Sequence, residues 1–396
     1  MMFTVFLLFS WLQLPIAPAE KGAISTLDNG ISHMVLWSAD STYFYEVFNG
    51  SSTMFYAAQD TIGIFDLSSY DTMIIFARRS SPDSIEIIRF VNLTPDTFYT
   101  LYAPQNCHKL QLYNDAHLHP TFPIWYLLCK NDSGIFITHS SNYGSSFYPF
   151  DTVLIDSQVD NFDFMTSVNQ TGDRVHLVYS KKTSGNNYLY LINGSYPASF
   201  TDTVKIDSMI PDSGNFTIYA IGDTLFIAYE RYSFVGSDID LYFVVSFYEG
   251  DSSTLQPGTI SATTLTQKYP LIIPGKDTLM VFFLDMQGQN SNNIIKSIFP
   301  SPYTNPHNTG TIYEGNISII KGDRTSHFPA ILALSFDGYA YFIYDDTYSS
   351  VQEAHNFNKF KTKKHTGIYA IDGRRITEKP IRGLYIKNGK KVVIFK

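Results

Sequence analysis

The residues best placed to do chemistry come in small groups. Glu230 and Arg231 are adjacent, and Asp238 and Asp240 follow at a spacing that puts both carboxylates on one face of a strand. Two carboxylates flanking a bond are the working parts of a glycoside hydrolase, one as acid and the other as base or nucleophile. Asp115-Ala116-His117-Leu118-His119 sets two imidazoles two residues apart, a spacing that suits a metal pair on a strand. Pro120 follows at once and no third ligand is in view, so the stretch reads as a loop, and no metal or other cofactor is expected. Before residue 356 the arginines number six, namely Arg78, Arg79, Arg89, Arg174, Arg231 and Arg324. Several of them converging would hold a carboxylate through their planar forks. There is no Gly-rich phosphate loop, nucleophile elbow or Cys/His zinc pattern. Cys107 and Cys129 are the only cysteines, read as lying on successive strand-like runs, where a cross-strand disulfide fits.

The elements that must position these groups are β-strands. The 396 residues are 16% aromatic and 16% charged, with 28 Tyr and 31 Phe. That composition suits pleated, half-buried surfaces and is too apolar for a disordered chain. A phrase recurs in which Asp and a short polar step lead into four or five apolar residues and an aromatic. It begins at Asp71, Asp173, Asp223 and Asp277, with a looser copy at Asp337. The first interval is 102 residues, twice 51, and the later ones are 50, 54 and 60. The missing copy falls at Pro123-Ile124-Trp125-Tyr126-Leu127-Leu128, and a weak one at His33-Met34-Val35-Leu36-Trp37. Each phrase is followed by a turn-forming gap and a second strand-like run, then by shorter runs. Four strands in about fifty residues, repeated six or seven times, is the pattern of an all-β propeller.

One gap in the third unit reads Ser140-Ser141-Asn142-Tyr143-Gly144-Ser145-Ser146-Phe147. It resembles the Asp-box of sialidase-like propellers, Ser-x-Asp-x-Gly-x-Thr-Trp. Asn142 stands for the Asp, Ser146 for the Thr and Phe147 for the Trp, with Ser140 and Gly144 kept. The resemblance implies a structural hairpin between the third and fourth strands of a blade. Sialidases of this fold use an Arg cluster, a Tyr nucleophile raised by a Glu, and an Asp acid/base. The nearest phrase to the family's first-blade Phe/Tyr-Arg-Ile-Pro is Phe76-Ala77-Arg78-Arg79, with the Arg displaced and no Pro.

Both ends of the chain carry addresses. Residues 1–19 hold a short apolar core followed by Ala17-Pro18-Ala19, a small-x-small pattern that places signal cleavage after Ala19. No later stretch is long and apolar enough for a transmembrane helix. Residues 356–396 carry a net charge of +10, against −18 for the rest, so the overall −8 is the sum of two unlike pieces. The acidic body argues against a nucleic-acid partner. In the tail, Gly373-Arg374-Arg375-Ile376, Gly383-Leu384-Tyr385 and Lys390-Lys391-Val392-Val393-Ile394 resemble the type A sorting domain of the type IX secretion system, in a short form. That resemblance implies export across two bacterial membranes, with the secretion machinery as a partner and the cell surface or medium as destination.

The expected architecture is thus a leader at 1–19, a propeller at 20–355 and a C-terminal β module at 356–396. The expected role is binding of a glycan or a surface protein. Aromatics in the gaps, Tyr143, Tyr232, Phe234 and Tyr348, are candidate contact residues. A sialidase-like or other glycoside hydrolase built on Glu230, Arg231, Asp238 and Asp240 is the rival reading, and a non-catalytic structural protein the third.

Overall fold

The computed structural model describes residues 11–48, 51–169, 172–195, 199–233, 238–247, 252–275, 278–287 and 292–345, and within the tail 368–369, 375–376, 383–387 and 390–394. The chain divides into two compact units, Met1–Tyr348 and Ser349–Lys396. The first is a seven-bladed β-propeller. Blades 1 to 6 are four-stranded antiparallel meanders at 21–59, 65–102, 109–155, 159–210, 216–261 and 266–315. Blade 7 takes three strands from 317–345 and its fourth from Trp11–Pro18. The first strand of each blade lies innermost. These seven strands touch in a closed cycle, with Ile317–Gly322 of blade 7 against Lys21–Thr26 of blade 1.

The core lies between blades. Sheets stacked face to face stand about 10 Å apart, a gap that large rings fill well. Phe44 of blade 1 meets Phe76 of blade 2 edge-on at 4.8 Å, and Phe226 of blade 5 meets Phe299 of blade 6 at 5.0 Å. Burial of each such side chain contributes about 1.5–3 kcal/mol, and all four are essentially inaccessible. The aromatic excess of the sequence is largely spent here.

The repeat phrase marks the second strand of its blade at Met73–Ser81, Gly172–Thr183, Thr224–Tyr232 and Thr278–Met286. The copies at 123–128 and 33–37 fall on second strands as well. The copy at Asp337 does not. It leads into Tyr339–Asp345, the third strand of blade 7, whose second strand is Ala330–Ser335. A β-turn followed by an apolar strand looks alike at either hairpin of a meander, and the long link 323–329 displaces blade 7 in the count. Its 60-residue interval was the sign of that slip.

Trp11–Pro18 lies inside the segment that the sequence assigns to a leader. It pairs with Tyr339–Asp345, while the Ala19 amide donates to the Gly338 carbonyl at 2.7 Å. Trp11–Pro18 thus supplies the fourth strand of blade 7, and cleavage after Ala19 would leave that blade with three strands.

Cys107 and Cys129 are buried and joined as a disulfide, with Cα atoms 5.8 Å apart. Cys107 sits in the link before blade 3, not on a strand. In the C-terminal unit, Gly383–Lys387 and Lys390–Ile394 form a hairpin. The strand order differs from a simple meander, because Ile368–Tyr369 pairs with both Arg375–Ile376 and Gly383–Lys387. Gly373 and Arg374 lie outside the described residues; Gly383, Tyr385, Lys390 and Lys391 are on the hairpin strands.

Candidate functional site

Strand alternation sends every second side chain of an inner strand toward the axis. At those positions the sequence repeats a polar residue between two apolar ones, as in Phe65-Asp66-Leu67, Leu110-Gln111-Leu112 and Phe162-Asp163-Phe164. The apolar neighbours enter the blade interfaces and the polar residue lines a central cavity of about 270 Å³. Lys109, Lys321, Arg324, Asp66, Asp163 and Asp323 all face it. Three cations and three carboxylates balance.

Most of this charge ties blades together. Asp66 accepts from the Leu112 amide at 2.8 Å, Asp163 from the Ile218 amide at 2.9 Å, and Asp323 from the Thr26 amide at 2.8 Å. Each bond joins one blade to the next. Arg324 of blade 7 crosses the axis to grip Asp163 of blade 4 with both terminal nitrogens, and also donates to the Ile218 and Phe164 carbonyls. Lys109 donates to Asn161 at 2.7 Å, and burial pushes its ammonium down to about 8. Burial likewise pushes Asp66 up to about 6, opposed by the Leu112 amide. The Lys321 side chain is accessible within the channel and makes no hydrogen bond to the described residues; desolvation by the surrounding channel walls lowers its pKa.

The antiparallel order gathers two sets of turns at one end of the ring: those joining first to second strands and those joining third to fourth. Here, on what we term the upper face, the channel opens into a second pocket of about 360 Å³. Asp28, Asn29, Tyr70, Asp71, His117 and Thr325 are among its walls. Burial lowers His117 to about 4, so its ring is neutral at pH 7. The long link 115–124 of blade 3 rises beside the pocket. Its Pro120 carbonyl takes the Tyr70 hydroxyl, and its Thr121 carbonyl takes the Tyr143 hydroxyl at 2.8 Å. Phe122, 70% exposed, stands at the tip with its ring 6.4 Å from that of Tyr143.

Tyr143 is held by the loop that begins at Ser140, between the third and fourth strands of blade 3. The Asn142 carboxamide oxygen accepts from Ser140 Oγ at 2.8 Å and from the Ser146 amide at 3.0 Å. Ser140 Oγ in turn accepts from the Gly144 amide at 3.0 Å. Tyr143 and Gly144 are consecutive residues with positive φ, and a Cβ on Gly144 would stand 1.9 Å from Ile75 Cδ1 of blade 2. Phe147 packs among the side chains between blades 2 and 3.

The carboxylates singled out from sequence are elsewhere. Glu230 is buried and bridges blades 5 and 6, accepting from Tyr269 N at 2.8 Å and Asn215 Nδ2 at 2.7 Å. Burial raises its pKa against those bonds. Arg231 pairs with Asp207 at 3.0 Å and lies over the Tyr242 ring. Asp240 is buried and Asp238 half-buried, at the turn between the second and third strands of blade 5, on the opposite, lower face. Of the six arginines only Arg324 reaches the channel; Arg78 pairs with Glu86, and Arg89 with Asp96. His117 and His119 diverge in a turn, His119 reaching Asp173 at 3.1 Å. Tyr232 is exposed on the lower face, and Phe234 and Tyr348 lie outside the described residues. The inner-strand polar positions were missed, although their apolar-polar-apolar pattern was present in the sequence.

No family model and no curated protein sequence matches the chain. Solved structures share its fold. A hydrazine synthase chain from Kuenenia stuttgartiensis superposes with a TM-score of 0.53 at 8% identity, over 84% of this chain and 97% of that one. The β-propeller domain of Cps50 (Swd1) from Myceliophteria thermophila gives 0.51 at 8% identity, over 83% and 98%. At such identity the likeness is one of architecture, and the chain is a seven-bladed β-propeller, a fold that commonly serves as a ligand-binding or interaction module.

Proposed function

We propose that this protein is an exported β-propeller that works at the bacterial cell surface by binding a glycan or a protein on its upper face, with the C-terminal unit as its sorting signal. One observation carries the binding reading. The channel charges are mostly spent on holding blades together, whereas the upper pocket keeps polar groups unspent. Asp71 makes no side-chain hydrogen bond to the described residues, and Asn29 uses only its oxygen, toward the Ile31 amide. The exposed Phe122 ring and the half-buried Tyr143 ring stand together at the link that also walls the pocket. Concave sites that bind ligands combine apolar contact surface with a few convergent polar groups in this way.

The sorting role rests on the resemblance of Gly373–Ile376, Gly383–Tyr385 and Lys390–Ile394 to the type IX signal. Deleting residues 367–396 should leave the protein in the periplasm, scored by fractionation and surface proteolysis of intact cells. Surface delivery at the undeleted level would refute that role. A hydrolase is the second reading, favoured by Asp66: a carboxyl raised to about 6 inside a cavity suits an acid catalyst.

A further inference from the structure

The upper face says more about its ligand than that one exists. Two features of the lining point the same way. The first is charge. Asp71 lines the pocket, no lysine or arginine is among the described residues that wall it, and the His117 ring beside it is neutral at pH 7. Arg324, the one guanidinium at the axis among the described residues, has its fork filled by Asp163. A carboxylate-bearing or phosphorylated ligand would meet the Asp71 charge at the mouth, and Lys321, which makes no hydrogen bond to the described residues, lines the channel and not this pocket.

The second feature is the mixture of contacts. Phe122 and Tyr143 offer ring surface, and the C–H face of a pyranose covers a ring without bringing charge. Asp71 accepts hydrogen bonds, the Asn29 amide donates them, and the His117 ring can do either according to tautomer. Hydroxyl groups, each both donor and acceptor, satisfy such a set where a purely anionic or purely apolar ligand leaves members unpaired. Both the platform and the pocket belong to one structure, since Pro120 lines the pocket, Thr121 anchors Tyr143, and Phe122 follows directly.

We infer that the upper face binds an uncharged glycan, with one sugar ring in the pocket walled by Asp71, Asn29 and His117 and the next sugar lying on Phe122 and Tyr143. The inference rests on the binding reading above and names the ligand class of that same face.

Calorimetric titration of the full chain tests it with a fixed set of probes: neutral oligosaccharides of glucose, mannose, galactose and N-acetylglucosamine, with sialyllactose and oligogalacturonate as anionic counterparts. Phe122→Ala removes an exposed ring, and Asp71→Asn keeps a residue that tolerates the positive φ found at that position. At least one neutral probe should bind, with each variant weakening it tenfold or more and Tyr232→Ala on the lower face leaving it unchanged. Tighter binding of the anionic probes, or equal binding by wild type and both variants, would overturn the inference. No binding of any sugar would also overturn it. In that case biotinylated surface proteins from the producing cells separate the two readings. Saturable capture lost in Phe122→Ala would keep the binding face and discard only the sugar, whereas no capture would discard both.

Discussion

Asp66 shows how a single side chain serves two ends. Its carboxylate accepts the Leu112 amide and so couples blades 2 and 3, yet its enclosure raises its pKa to about 6 from an ordinary 3.8. With the folded value above the unfolded one, folding favours the protonated acid. The stabilisation is complete below about pH 4 and is lost as the pH rises through about 6. At pH 7 the ionised Asp66 therefore costs stability, at most about 3 kcal/mol for a shift of roughly two units. Asp66→Asn keeps an oxygen for the Leu112 amide and removes the charge. It should unfold at higher denaturant than wild type at pH 7, with the advantage fading toward pH 4. A variant weaker than wild type at pH 7 would show that the carboxylate is held by attraction to Lys321 and Lys109. None of this was visible from composition, because Asp66 is one of 36 acidic residues and only the apolar-polar-apolar pattern sets it apart.

At the scale of elements, the sequence was read correctly where its signal is local. A turn followed by an apolar strand announces a hairpin, yet the phrase, read as the first run of its unit, falls on the second strand at six of the seven blades, because the run just before it is the innermost strand of the same blade. The failure at Asp337 came from the same cue occurring at the next hairpin. Glu230 and Arg231 illustrate the other limit. Adjacent charges after a strand look alike whether they face a ligand or a neighbouring blade, and only the contact with Tyr269 decides. The loop between Ser140 and Phe147 gives a direct test of local chemistry. Asn142→Ala removes both acceptor bonds of the side chain and its Nδ2 bond to Ser146 Oγ, and should cost about 1–2 kcal/mol, measured by chemical denaturation. Asn142→Asp keeps both acceptors and should fall within about 0.5 kcal/mol of wild type. Equal losses in the two variants would mean that the loop is held by Gly144 against Ile75 and by Arg89, which donates to Ser145.

At the scale of the molecule, the ring closes by side-chain bridges at every blade interface. Beyond those already described, Ser25 Oγ takes the Ser69 amide at 2.9 Å between blades 1 and 2, and Asn292 donates to Ile317 O at 2.6 Å between blades 6 and 7. A ring held this way offers its two ends as rigid platforms, and they differ. The upper end carries the pocket and the Phe122 tip; the lower carries Tyr232 and the Asp238 turn. Hydrogen–deuterium exchange of the full chain with and without the tightest-binding glycan probe reads both ends at once. The account predicts slowed exchange at 115–124, 140–150 and 323–329. Slowing confined to the lower turns at 183–186 and 335–339 would contradict it.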